Sequence, residues 1–370
     1  MGFAVLYGFR KTVFVRRRRS VHFAAAALFL ILASTCAFAQ TSDTDKPVPV
    51  LTGNVGTFSF VTAGQNVIDT QVSPVLLIPI GNRWLIESRA EFEGQFQRPP
   101  DGGPYQGPVD KHLDYAQIDY IANPYLTVTA GRFLTPFGIF NERLYPVWIR
   151  CLQPDPLIYS ISTVDSDGVM FRGGFPAGPS ANINYAAYVS VASIGVASVD
   201  SERHVGARLG FFLPGPRLEI GGSWQRTLQD QRKNAFGFHA GWQLSRLPLS
   251  LRAEMARSFE GSGYWAEGAY RLSQVSFWHK AMHRTELVGR FQQFFVGEAG
   301  PDADSELDLP SANTRQADFG ANYFLRDGLK GIVSYGRGFS PAGNYNQWSF
   351  GFAYRFLVPL GRVSEATGAQ

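Results

Sequence analysis

Charged residues are scarce in this 370-residue chain, at 17% of the sequence, compared with about a quarter in typical soluble domains. Hydrophobic residues make up 45%, so the composition is not that of a disordered chain. With 30 Phe, 15 Tyr and 7 Trp the chain is instead rich in aromatics. This combination disfavours a coiled coil or an ordinary helical enzyme.

Long hydrophobic runs are also lacking, and the most apolar stretch lies in a segment with the features of an export signal. Residues 1–39 carry six basic residues, then the apolar stretch 24–33, and then Ala-Phe-Ala at 37–39. This order predicts a secretory signal peptide that is cleaved at its end, since the apolar stretch is too short for a transmembrane helix. A lipoprotein signal at Cys36 fits less well, because Thr35 precedes it where Gly, Ala or Ser is expected.

Removal of this segment changes both the charge and the cysteine count. Six of the 34 basic residues and no acidic residue lie in 1–39, which leaves 28 Lys and Arg against 30 Asp and Glu. The sequence pI of about 9.0 is therefore due largely to the export signal, and nucleic acid is not expected as a partner. Cys36 is removed too, and Cys151 alone can form neither an internal disulfide nor a cysteine-rich zinc site.

Beyond residue 40 no apolar run reaches the roughly 18 residues of a membrane-spanning helix, and a two-residue period recurs instead. Trp84, Phe92 and Phe96 fall on one face, and charged or polar residues alternate with them on the other. A strand separates two such sets, whereas a helix would mix them. The same alternation returns at 236–244 and 347–356, and it predicts an all-β chain.

Sixteen strands are predicted in a domain that spans 53–357, between a short segment at 40–52 and a tail at 358–370. Connections after even-numbered strands are mostly tight turns, whereas several after odd-numbered strands are long, notably 97–111 and 296–313. Short turns at one end and long loops at the other are typical of a transmembrane β-barrel. The predicted strands are 53–62, 72–80, 83–96, 112–121, 125–134, 167–175, 180–192, 203–213, 217–227, 234–244, 248–258, 263–272, 285–295, 314–325, 329–337 and 345–357.

A soluble β-sandwich would also alternate, but it places its large apolar residues inside and its charges outside. A closed barrel of sixteen strands has a wide, wet lumen, so polar residues can face inward while apolar residues face lipid. Aromatics at strand ends, such as Trp84, Tyr120, Trp242 and Trp348, are typical of girdles at the membrane interface. We therefore predict an all-β fold, a transmembrane antiparallel β-barrel of about sixteen strands. We expect it in the bacterial outer membrane, in contact with lipid and lipopolysaccharide.

The polar face of each strand is predicted to line the lumen. Its basic and acidic members are nearly equal in number, so the pattern predicts no sign of ion selectivity. Many of them are expected to form ion pairs across a hydrated wall. The basic candidates are Arg89, Arg172, Arg208, Arg252, Arg271, Arg290, Lys330 and Arg355, and the acidic candidates are Glu87, Glu91, Glu93, Asp119, Glu219, Glu254, Glu267, Glu286 and Asp318.

The longest connection, 135–166, is unusually apolar for an exposed loop of its length. Its apolar character indicates that it folds into the barrel and narrows the pore. Glu142, Arg143 and Arg150 are the candidates for the constriction. A loop that forms a trimer contact, or that covers the barrel mouth, would be apolar as well.

The segment 129–150 resembles the strand and the start of the inserted loop in the phosphate-selective porin O/P family. The resemblance rests on Gly131-Arg132-Phe133 followed by Pro136-Phe137-Gly138. It implies a sixteen-stranded trimeric porin that passes anions such as phosphate along basic side chains. Arg132, Arg143 and Arg150 are the positions to which that role would transfer, and Arg132 thereby joins the constriction candidates.

Other chemical signals are weak. His279 and His283 would share a face if their segment were helical, but no third ligand accompanies them, so no metal site is predicted. The sequence has no Gly-x-Ser-x-Gly elbow, and we expect no catalytic residues and no cofactor. Two functions remain. The first is a porin for passive diffusion of small hydrophilic solutes or ions, and the second is a structural or receptor-like barrel whose lumen is blocked.

Overall fold

A computed structural model describes residues 48–99, 102–191, 203–229, 232–297 and 309–361. The predicted signal peptide lies outside the described residues, as do most of the segment 40–52 and residues 362–370 of the predicted tail.

Sixteen antiparallel strands within the described ranges form one closed barrel, which confirms the predicted fold class. Each strand pairs with its neighbours in the chain, and the first strand pairs with the last. The strands are β1 (Val50–Thr62), β2 (Gln65–Ile80), β3 (Trp84–Gln97), β4 (Val109–Asn123), β5 (Leu126–Leu134), β6 (Asp165–Pro176), β7 (Asn182–Ser190), β8 (His204–Leu213), β9 (Leu218–Thr227), β10 (Asn234–Gln243), β11 (Leu249–Arg257), β12 (Gly261–Arg271), β13 (Thr285–Val296), β14 (Thr314–Arg326), β15 (Leu329–Phe339) and β16 (Tyr345–Pro359).

The barrel is slightly longer than the alternation predicts. It begins at Val50 and ends at Pro359, rather than at 53 and 357, and β2 begins at Gln65 rather than at 72. The first half of β2 carries Val67 and Ile68 on opposite faces among polar residues, so it shows no two-residue hydrophobic period.

The outer surface of the barrel is apolar. On β10 the side chains of Phe236, Phe238 and Trp242 are 50%, 59% and 42% exposed, whereas His239 between them is 4% exposed. Such a surface fits hydrocarbon and would be unfavourable in water. Aromatic pairs lie near both ends, with Trp84 and Tyr120 at the short-turn end.

The connection 272–284 between β12 and β13 departs from the tight turns at its end of the barrel. It contains a 3₁₀ turn at Leu272–Gln274 and the short helix α1 (His279–Met282). In the described part of the chain, no helix is long and apolar enough to cross a membrane.

Candidate functional site

The connection between β5 and β6, residues 135–164, lies inside the barrel, and we call it the inner loop. It is two residues shorter than predicted, because β6 already begins at Asp165. It contains a π-helical turn at Phe140–Leu144 and a 3₁₀ turn at Tyr159–Ile161. Half of its residues are buried and three are exposed, because it packs against the inner face of the strands.

One side of the inner loop is apolar and packs against β10 to β13. Phe137, Phe140 and Ile158 form a buried cluster with Trp265 of β12 and Phe294 of β13. Burial of each large apolar side chain stabilises this arrangement by about 1.5–3 kcal/mol. The inner loop is therefore fixed to this half of the wall without a water layer.

The carboxylate of Glu254 on β11 holds the backbone at the start of the inner loop. It accepts hydrogen bonds from the N–H groups of Ile139, at 3.0 Å, and Phe140, at 3.2 Å. The preceding Gly138 has φ of +63°, and its N–H donates to the hydroxyl of Ser223 at 3.1 Å. The Pro-Phe-Gly sequence is thus the turn that aims two backbone donors at one buried acid.

The opposite side of the inner loop is charged and faces β6, β8 and β9. Glu142 pairs with Arg208 at 2.9 Å and with Arg172 at 3.3 Å, and Arg143 pairs with Glu219 at 2.7 Å. Arg208 also approaches Glu219, at 3.4 Å. We call these five residues the Arg143 cluster. The side chains of Arg143 and Arg172 are 41% and 45% exposed, so water reaches this side of the inner loop.

The inner loop then crosses to β3. The hydroxyl of Tyr145 donates to Glu91 at 2.8 Å, and the guanidinium of Arg89 lies over the Tyr145 ring. Arg89 is buried between two carboxylates, Glu91 at 3.2 Å and Asp114 at 2.8 Å. A β-bulge turns Asp114 inward, since the pairing of β3 with β4 skips that residue.

Arg150 is buried within the inner loop. It pairs with Asp155 at 2.7 Å, and it donates to the carbonyl oxygens of Gln153 and Tyr145. Burial by itself lowers the pKa of Arg150, but Asp155, Tyr145, Glu91 and Tyr159 together outweigh that effect, and the pKa is raised. Burial raises the pKa of Tyr145 well above its ordinary value. Arg150 therefore ties the inner loop together as a permanent cation.

Arg132 is also buried, and its side chain makes structural contacts instead of facing solvent. Its guanidinium pairs with both oxygens of Asp167, at 2.9 Å and 3.0 Å, and donates to the carbonyl of Leu113. Among the three basic residues singled out by the family resemblance, Arg143 alone has a strongly exposed side chain. Arg132 and Arg150 are buried as well as paired with carboxylates, whereas the pair of Arg143 with Glu219 is open to water.

Basic side chains of the far wall hold the second half of the inner loop through its carbonyl groups. Lys330 donates to the carbonyl of Arg150 at 2.5 Å, and Arg290 to that of Pro154 at 2.5 Å. Arg290 also pairs with Asp318 at 3.5 Å. These cations act here as anchors for the inner loop.

The remaining candidates also lie on the inward face of their strands. Arg252 is 3.3 Å from the thiol of Cys151 and 3.8 Å from Glu267, and Asn322 donates to Glu286. Glu87 and Asp119 accept from Gln117, and Asp119 also from Thr129. Glu93 accepts from Gln95, Arg271 lies over Phe324, and Arg355 lies over Trp148 of the inner loop.

Cys151 is predicted to be inert in the folded protein. Burial raises the pKa of its thiol to about 12, so the thiolate is scarce at pH 8, and the residue is 6% exposed. After loss of residues 1–39 it is the single thiol of the chain. A maleimide should label the native protein at pH 8 far more slowly than the urea-unfolded protein, measured by mass spectrometry. Equal rates would mean that the inner loop leaves the barrel readily.

Sequence reasoning missed the acidic partners Asp114, Asp155 and Asp167, and the aromatic contact of Tyr145. The two-residue alternation of β4 would place Asp114 on the outward face, and the β-bulge that turns it inward is not visible in the sequence. In the described ranges, no group of three or more His, Cys, Asp or Glu side chains is placed to hold a metal ion.

The barrel is similar to solved outer-membrane structures, although no family model and no curated protein matches the sequence. OprB of Pseudomonas putida, in its low-pH structure, is 10% identical with a TM-score of 0.53, over 84% of this chain and 91% of that one. An anion-selective porin from Comamonas acidovorans is 10% identical with a TM-score of 0.51, over 83% and 99%. OmpF of Salmonella typhi, in complex with daunomycin, is 13% identical with a TM-score of 0.53, over 83% and 97%. At this level of identity the similarity concerns the fold alone.

Proposed function

We propose that this protein is an outer-membrane channel through which small hydrophilic solutes and ions diffuse past the inner loop. One observation carries the proposal. The inner loop packs its apolar side against β10 to β13 but leaves Arg143 and Arg172 about half exposed on the other side. A side chain with that exposure inside a barrel borders water, and water beside the constriction is what a diffusion path needs.

The alternative is a barrel whose lumen is blocked and whose long loops bind a partner. The contact of Tyr145 with Glu91 favours it, because this contact takes the inner loop across to β3. The hydration of the Arg143 cluster favours a channel over a plug. Measured conductance decides between the two.

We propose a weak preference for anions. The Arg143 cluster sets three guanidinium groups against two carboxylates, and the guanidinium groups of Arg143 and Arg172 are its most exposed charges. Glu87 lies on the same inner wall and keeps the preference small. Arg132 and Arg150 are engaged with carboxylates, so inorganic phosphate is expected to permeate as one anion among others.

Export by the segment 1–39, insertion into the outer membrane and assembly as a homotrimer belong to the same proposal. Lipid and lipopolysaccharide would surround the apolar outer surface. The trimer rests on the family resemblance, and a monomer by light scattering in mild detergent would argue against it.

The first experiment is single-channel recording of the refolded protein in a planar bilayer, with the reversal potential measured in a chloride gradient. Steady conductance supports the channel, and a folded barrel without conductance supports the blocked lumen. The sign of the reversal potential tests the anion preference, and added phosphate tests whether that anion carries current.

Replacement of Arg143 by Gln should lower the ratio of anion to cation permeability by about twofold, since one unit charge acts on a passing ion at close range through water. The matched control is Arg246→Gln, which removes an exposed arginine from the turn 244–248. Equal reversal potentials in both variants and the parent would place the ion path away from the Arg143 cluster.

A further inference from the structure

Two imidazole rings lie side by side on the connection 272–284 at the short-turn end of the barrel. His279 opens α1, and His283 follows one helical turn later. Because residues four apart share a helix face, the rings meet, and their centroids are 3.8 Å apart with an angle of 41° between the planes. His279 is exposed and His283 is half-buried, so solvent ions can reach the pair.

The other described histidines have different surroundings. His204 is buried and bonded to Ser166 at 2.7 Å, and His239 is buried beside Glu219 at 3.7 Å. His112 is exposed but pairs with Asp165 at 3.2 Å. The pair on α1 is thus the single place in the described ranges where two imidazole rings are in contact.

We propose that His279 and His283 form a surface site that binds one divalent first-row transition-metal ion through two imidazole nitrogens. Imidazole suits Cu²⁺, Ni²⁺ and Zn²⁺, and two histidines one turn apart on a helix are a known chelating arrangement. Water completes the coordination, since the described residues offer no third Cys, Asp, Glu or His beside the pair. The sequence alone predicts no metal here, because a third protein ligand is lacking.

The surroundings set the preference among metals. Among the residues that the structure describes, no carboxylate lies beside the pair to favour Mg²⁺ or Ca²⁺. The affinity of a site with nitrogen ligands is intrinsically higher for Cu²⁺ than for Ni²⁺ and Zn²⁺. Lys280 and Arg284 flank the pair and weaken binding of any cation, so the site is expected to exchange its ion rather than hold it permanently. This inference does not depend on the proposed channel activity.

The test is titration of the untagged, refolded protein with Cu²⁺ by calorimetry and electron paramagnetic resonance. We expect saturable binding of one Cu²⁺ per chain with a nitrogen-coordinated spectrum, and weaker binding of Ni²⁺ and Zn²⁺. Either His279→Asn or His283→Asn should weaken Cu²⁺ binding by about tenfold or more, since loss of a ligand costs at least as much as loss of its supporting partner.

His112→Asn is the matched control, because it removes an exposed histidine that has no second imidazole beside it. Its Cu²⁺ affinity should equal that of the parent. Equal affinity in all the variants, or no saturable binding by the parent, would overturn the proposal. Heat-modifiable migration on gels confirms in each case that the barrel is folded.

Discussion

Replacement of residues 141–158 by a short Gly-Ser linker is expected to raise the single-channel conductance severalfold. The deleted segment is the part of the inner loop that crosses the lumen from the Arg143 cluster to β3. It also accepts the hydrogen bonds from Arg290 of β13 and Lys330 of β15. The ring centroids of Phe140 and Tyr159 are 5.3 Å apart, so the remaining ends lie in the same part of the lumen and a linker of several residues is expected to join them. Planar-bilayer recording in concentrated salt measures the effect.

The barrel itself should survive this deletion, because every strand keeps its hydrogen-bonded neighbours and the exposed wall is largely polar. Cations such as Arg290 and Lys330 lose their partners on the inner loop and become hydrated instead. The matched control places the same linker at the exposed connection 340–344, where conductance should stay at the parent value. If the shortened inner loop left conductance unchanged as well, the narrowest point would lie elsewhere.

Gly138→Ala is expected to displace the start of the inner loop from Glu254 and to make the loop more mobile. A Cβ at this position would lie 2.0 Å from Oε1 of Glu254, the carboxylate that accepts the N–H groups of Ile139 and Phe140. The left-handed φ of +63° adds about 1–2 kcal/mol for any residue with a side chain. We expect the open channel to fluctuate between several conductance levels, and we expect faster maleimide labelling of Cys151.

The contribution of the backbone alone is measured by Gly178→Ala. Gly178 also has a left-handed φ, of +79°, but a Cβ there would meet no atom within 4 Å. Its conductance should match that of the parent, with a small loss of stability. Identical behaviour of the two variants would mean that the contact with Glu254 does not position the inner loop.

The sequence was sufficient to predict the strands, because lipid outside and water inside impose a period of two. The first half of β2 shows where that signal fails, since its apolar residues Val67 and Ile68 fall on opposite faces. The apolar loop could also be placed inside the barrel, because an exposed loop would not carry Phe137, Phe140 and Trp148 together.

The partners within the candidate site could not be predicted, because they depend on register and on a bulge. Arg89 was assigned to the lumen by its parity, but its partner Asp114 has the opposite parity and turns inward at an irregularity in β4. Arg132 and Arg150 looked like Arg143 in the sequence. All three pair with a carboxylate, but the side chains of Arg132 and Arg150 are 5% and 9% exposed and that of Arg143 is 41% exposed. Spacing along the chain shows neither the burial of an arginine nor which carboxylate is within reach.

The pairing of β1 with β16 has a consequence for how the protein is made. Val50 opposes Pro359, so the barrel is closed by strands from the two ends of the barrel domain. Closure therefore costs loop entropy before the hydrogen bonds between β1 and β16 can form. Until then a partly assembled sheet has two unpaired edges, which favour aggregation. The inner loop contacts Phe58 of β1 through Val147, and Arg355 of β16 lies over the ring of Trp148 in the inner loop. We expect these contacts to hold both edges near each other during assembly, so that the inner loop serves as an internal template.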